Sequence, residues 1–226
     1  MHGRRRARPE RKNMKKKLLI MSVAMVLVCA FAVGMTLAYL TSTDRVVNTF
    51  TVGNVQIKLD EAKVNLDGTP VQDADRVKAN SYKLIPGHTY TKDPTVTVLS
   101  GSESSYIKMT VTFSNSTQLD AIFTPNGADL TSIFNGYESA NWSYKGNTED
   151  TVANTRTYEF WYKETVAAPT ADVALDALFD SITVPGSITN AQLATIENMT
   201  ITVNAYAIQA DGFGTPEAAW AAYPAN

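Results

Sequence analysis

The chain predicts an all-β fold, a jelly-roll-like antiparallel β-sandwich with one or two short helices, preceded by an N-terminal signal-peptide helix. Three observations predict it. An apolar segment sits between a basic run and small residues near the N-terminus. Period-two alternation recurs through the rest of the chain, and turn residues separate the alternating runs. A length of 226 residues with 44% hydrophobic content suits one domain able to bury a core.

The leader comes first. A basic run ends in "KNMKKK", an apolar run from Leu18 to Val33 is broken only by Ser22, and small residues surround Ala38. That is the order of a secretory signal peptide, so residues 1–38 are read as leader and residues 39–226 as the exported domain. Met14 is an alternative start, because "MKKKLLIMSV" alone supplies a basic and an apolar region. "TLA" places Thr36 and Ala38 where a signal peptidase needs small side chains, which puts the cut between Ala38 and Tyr39. The rival reading is an uncleaved anchor, since residues 18–40 are 23 in number and a span needs roughly 20. Either way the basic flank keeps the N-terminus inside and sends the rest out. The membrane is then a partner only through the leader before cleavage.

Charge and cysteine usage fit export. Residues 1–38 hold nine Lys or Arg against Glu10, leaving 11 basic and 21 acidic residues beyond Ala38, a charge of -10. Such a surface repels phosphate backbones, so nucleic acid is not an expected partner. Cys29 is the only cysteine and lies in the apolar run, so the exported part cannot form disulfides.

Along the exported chain, "SYIKMTVTF" sets Ile107, Met109, Val111 and Phe113 against Tyr106, Lys108, Thr110 and Thr112, a half-buried strand. "TYEFWYK" puts Tyr158, Phe160 and Tyr162 on one face and Glu159, Trp161 and Lys163 on the other. "MTITVNAYAIQA" is apolar on both faces and is expected to be central in its sheet. Shorter candidates are "SYKLI" from Ser81, "PTVTVLS" from Pro94, "NWSYK" from Asn141 and "FDSITV" from Phe179. Pro86-Gly87 and Pro185-Gly186 suit type II turns. Two short helices are expected, "TNAQLATIEN" capped by Thr189 or Asn190, and "TPEAAWAAY" with Thr215 as cap and Pro216 in the first helical position. Ahead of these, Phe50 and Val52 are apolar at even positions while Val55, Ile57 and Leu59 are apolar at odd ones. This phase change predicts a bulge or kink at Gly53.

The blocks "LAYLTSTDRVVNTFTVGNVQIKLDE", "LIPGHTYTKDPTVTV" and "ITVNAYAIQADGF" resemble secreted Gram-positive proteins whose leaders are cut by the signal peptidase SipW. That family includes the matrix-fibre protein TasA and the CalY or camelysin proteins. The similarity covers the leader and most of the exported chain, least so residues 115–180. It implies a secreted subunit of extracellular biofilm-matrix fibres, processed by a SipW-like peptidase. Assembly would be homo-oligomeric, by donation of the new N-terminal strand, residues 39–50, to a neighbour. Tyr39, Leu40, Val46, Val47, Phe50 and Val52 would be its assembly residues. The physical form is β-augmentation, in which backbone hydrogen bonds give affinity and pockets give register. The rival is a strand that pairs within its own sheet.

Two other classes stay open. Camelysin-type relatives carry a metallopeptidase label, but there is no H-E-x-x-H, and His88 is the only histidine after His2. Zinc hydrolases use three protein ligands, so His88 reads as a solvated turn residue and the chain as a non-enzyme without cofactor. A monomeric adhesive or ligand-binding sandwich is the third class. "NLDGTPVQDAD" offers Asp67, Asp73 and Asp75 as weak calcium candidates, with Asp60 and Glu61 just before, at a spacing that matches no EF-hand. Tyr137, Trp142, Tyr144, Trp161 and Trp220 either stack on sugars or fill the core, and the core is the expected place.

Overall fold

The computed structural model describes residues 16–25, 54–123 and 134–224. The chain divides into two units, Met1–Thr51 and Val52–Asn226. In the first, residues 16–25 are helical and exposed. Among the described residues no helix is long and apolar enough to cross a membrane. The cleavage junction at Ala38 and Tyr39, the donor-strand residues Leu40, Val46, Val47, Phe50 and Val52, and the kink expected at Gly53 lie outside the described residues.

The second unit is mostly antiparallel β-sheet with a few short helices. Its strands are β1 (Ile57–Asp60), β2 (Thr89–Thr91), β3 (Thr95–Val98), β4 (Ser105–Ser114), β5 (Trp142–Asp150), β6 (Thr155–Tyr162), β7 (Val173–Ala174), β8 (Ser181–Thr183) and β9 (Ile201–Gln209). Its helices are α1 (Ser116–Phe123), α2 (Asn190–Thr195) and α3 (Pro216–Ala222). The strands form a sheet ordered β1-β3-β7, a pair β2-β8 and a sheet ordered β5-β6-β4-β9. Every strand pairing is antiparallel.

The alternation read in β4 and β6 places the core. Ile107, Met109, Val111 and Phe113 are buried, as are Tyr158 and Phe160 opposite them across the ladder. All of them join one cluster with Val96 and Val98 from β3, Tyr90 from β2 and Ile182 from β8, so the three sheets share a core. Trp142 is wholly buried there and donates from Nε1 to the Asp176 carbonyl at 3.0 Å, which satisfies its polar end. Phe134 stacks on Phe179 at 4.5 Å and meets Phe160 edge-on at 5.8 Å. On the other face of the four-stranded sheet, α3 lays Ala219 and Trp220 over Tyr106, with Trp161 and Tyr206 packed around them. The five aromatics left open between core and sugar-stacking therefore divide between these two clusters.

Both expected helices form with the expected caps. Thr189 and Gln192 make a reciprocal capping box on α2, and Thr215 accepts from the Ala218 N–H of α3 with Pro216 just inside. The turn at Pro86-Gly87 is also as read: His88 N–H reaches the Ile85 carbonyl at 3.1 Å and Gly87 has φ of 78°.

Three expectations fail. First, Pro185 opens its turn instead of standing second in it, because Ile188 N–H bonds back to the Pro185 carbonyl at 3.2 Å. Second, "SYKLI" is not a strand. The Tyr90 hydroxyl takes up the Ile85 N–H at 2.6 Å and the Lys83 carbonyl at 2.7 Å, groups a ladder would have needed. Third, among the described residues β9 stands at the edge of its sheet. It is apolar on both faces because Ile201, Val203, Ala205 and Ala207 serve the main core while Tyr206 and Ile208 serve the cluster under α3. Two-sided burial alone therefore did not make it central.

Candidate functional site

The two ends of the four-stranded sheet differ in how they meet solvent. At one end, β5 carries Lys145, Glu149 and Asp150, and its ladder with β6 shifts register between Tyr144 and Gly146, where Gly146 has φ of 128°. Charge and a bulge are the devices that prevent an edge from recruiting another strand. At the other end, β9 reads "ITVNAYAIQ", without a charge, a proline or a break in register against β4. Among the described residues β9 pairs with β4 alone.

A groove of about 1250 Å³ runs beside the first half of β9. Ile201 and Val203 of β9, Ile57 and Leu59 of β1, and Tyr82 and Leu84 of the "SYKLI" segment line it. These side chains are all half-buried and packed on the main core, so the groove is an apolar opening in the wall of the core. By contrast, the cavity between α1 and β6, lined by Leu119, Arg156 and Tyr158, has about 20 Å³, room for one water.

Electrostatics fix one wall. Residues 61–84 leave β1 and return, bridged once to the end of β1 by Glu61 and Val77. Arg76 ties this excursion down, with Nε on Asp60 Oδ1 at 2.5 Å, Nη1 on Asp93 Oδ2 at 2.8 Å, and Nη2 on the Asp93 carbonyl at 2.8 Å and Thr95 Oγ1 at 2.9 Å. Behind it Lys92 Nζ donates to Glu61 Oε2 at 2.6 Å, both side chains being 8% exposed. Asn80 Nδ2 donates to Glu61 Oε1 at 2.9 Å and to the Ala62 carbonyl at 2.8 Å, while Asn80 Oδ1 accepts from Val64 N–H at 3.0 Å. Burial alone would raise the Asp60 carboxyl, but hydrogen bonds and charge from Lys58 and Arg76 hold it below its ordinary value.

The sign of the pH effect follows. A carboxyl depressed in the folded state adds stability above its unfolded pKa of about 4 and loses it as pH falls through the folded value. Asp60→Asn is therefore expected to destabilise the chain at pH 7 by about 1–3 kcal/mol, since Arg76 keeps Asp93 and partial exposure. The gap should begin to narrow below about pH 4 and close only once pH has fallen past the depressed folded value. Urea titrations at pH 7 and pH 3 check this, and a gap that widens in acid would contradict it.

The calcium candidates are not brought together. Asp67 Oδ1 accepts from Thr69 N–H at 3.0 Å and Thr69 Oγ1 at 2.7 Å, closing a local turn, and these bonds lower its pKa. Asp73 and Asp75 are exposed, Asp73 in a left-handed turn with φ of 55°. Asp60 and Glu61, counted as their neighbours in sequence, are neutralised by Lys58, Arg76 and Lys92. Among the described residues no three His, Cys, Asp or Glu side chains form a group that could hold a metal ion. His88 is exposed on its turn, 6.1 Å from the Tyr90 ring.

Sequence reasoning missed Arg76, Asn80 and Lys92 as site residues. They stand 16 to 31 residues from their partners Asp60 and Glu61, and no local spacing announces them. Comparisons with protein-family models, curated proteins and solved structures returned no match.

Proposed function

We propose that this chain is the precursor of a secreted, TasA-like subunit of extracellular matrix fibres, with a jelly-roll arrangement of its sheets. Removal of residues 1–38 frees residues 39–50, which a neighbouring copy accepts as an added strand along β9. The observation that carries this reading is the β9 edge, which among the described residues pairs with β4 alone and lies beside an apolar groove, at the end of a sheet whose other edge carries charge and a bulge. The donor sequence is suited to such a groove. "YLTSTDRVVNTF" is β-prone, carries one acid and one base, and offers Val46 or Phe50 to the apolar wall, whichever register wins.

Sequencing the N-terminus of secreted material tests the processing step. A start at Tyr39, or one residue later at Leu40, is expected. An intact span over residues 18–40 in the membrane fraction contradicts it and favours an anchored protein.

A further inference from the structure

We propose that Lys92 and Asn80 become joined by an intramolecular isopeptide bond, with Glu61 as the proton-transferring carboxylate. The parts of a transamidation are in place: an amine, a carboxamide, and one buried carboxylate that holds both nitrogens. Lys92 Nζ sits on Glu61 Oε2 at 2.6 Å and Asn80 Nδ2 on Glu61 Oε1 at 2.9 Å. The carboxamide oxygen accepts a backbone donor, Val64 N–H at 3.0 Å, where negative charge collects when the carbonyl carbon is attacked.

The pair is shielded from water, Lys92 being 7% and Glu61 6% exposed, so few solvent molecules compete for the amine or the carboxamide. Tyr82 and Tyr90 meet edge-on at 5.7 Å beside the site, and burial followed by the charge of Glu61 keeps the Tyr82 phenol protonated. Among the described residues, the other lysine ion pairs lack this closeness and burial. Lys108 and Lys145 lie 3.7 Å and 3.9 Å from their carboxylates, and Lys58 is half-exposed.

The step balances without an oxidant or a cofactor. Glu61 takes a proton from the Lys92 ammonium. The freed amine swings from the carboxylate onto Cγ of Asn80, forming the Nζ–Cγ bond and a tetrahedral centre whose oxygen stays on Val64 N–H. Glu61 returns the proton to Nδ2, the Cγ–Nδ2 bond breaks, and the nitrogen, once it takes a second proton from Nζ, leaves as ammonium with Glu61 again a carboxylate. One secondary amide and one ammonium ion replace one primary amide and the Lys92 ammonium, so the protein loses the mass of one ammonia. The bond would tie the excursion over residues 61–84 to the chain after β2, along the wall of the groove. It would supply a covalent tie to an exported chain that has no cysteine.

Peptide mapping of the full chain tests it. Trypsin should leave Lys92 uncut, and residues 79–83 should appear branched onto residues 84–108, at about 17 Da below the sum of the two free peptides, the mass of the ammonia lost. Glu61→Gln keeps the size of the side chain but not its basicity, and it should restore cleavage after Lys92 and release residues 79–83 at full mass. A wild-type digest cut completely after Lys92 overturns the proposal. So does a loss of ammonia confined to residues 79–83, which marks a succinimide at Asn80 and not a cross-link. The wild-type map decides the matter even where the Glu61 variant fails to fold.

Discussion

Phe160→Ala is expected to lower the unfolding free energy by about 3–5 kcal/mol, the range for truncating a fully buried aromatic side chain. Phe160 is 0% exposed, and its ring meets Phe134 at 5.8 Å and both Tyr137 and Tyr144 at 5.5 Å. Phe134 is itself stacked on Phe179 at 4.5 Å, and the Tyr137 hydroxyl donates to the Trp142 carbonyl at 2.8 Å, so these neighbours are held in place and do not move in to fill the void. Trp161 is the control, one residue on and on the opposite face of β6. It packs half-buried against Trp220 at 6.2 Å, in the small cluster under α3. Trp161→Ala should cost about 1–2 kcal/mol, nearer the average for point substitutions. Urea midpoints measured at constant slope check both, and equal losses would contradict the division of the sheet into a core face and an outer face.

The second large effect is on assembly. A peptide of residues 39–52 added to the exported chain should suppress filament growth, because it occupies the acceptor edge without offering one of its own. The scrambled peptide should not. Subunits of charge -10 repel at low salt over roughly 10–30 Å, a range that ions shorten, so growth should rise from low to moderate salt. Acidification from pH 7 toward 5 works in the same direction as the carboxylates with the highest pKa values begin to protonate. Light scattering follows both variables. Suppression by salt, or equal inhibition by both peptides, would contradict strand donation.

Much of the fold was legible because its signals are local. Alternation in β4 and β6 named the buried residues, and Thr189, Thr215 and Pro216 announced both helix starts. What was illegible depends on partners distant in sequence. "SYKLI" has the composition of a strand, yet the hydroxyl of Tyr90 replaces its ladder. The burial pattern of β9 suggested a central strand until α3, from the far end of the chain, was seen to cover its second face. α1 was passed over, since "STQLDAIF" has no acidic residue in its first turn and no basic residue in its last. For the proposed site, the donor segment lies outside the described residues and is proposed from the sequence alone. The groove is assembled from β1, residues 77–84 and β9, which only folding places together.

The most direct measurement compares the chain beginning at Tyr39 with the same chain carrying a bulky folded fusion before Tyr39, both viewed by negative-stain microscopy at moderate salt. Strand donation needs a free N-terminal segment to reach its neighbour, so the free chain should form filaments and the blocked chain should stay monomeric. Filaments of the same order from the blocked chain would contradict the account.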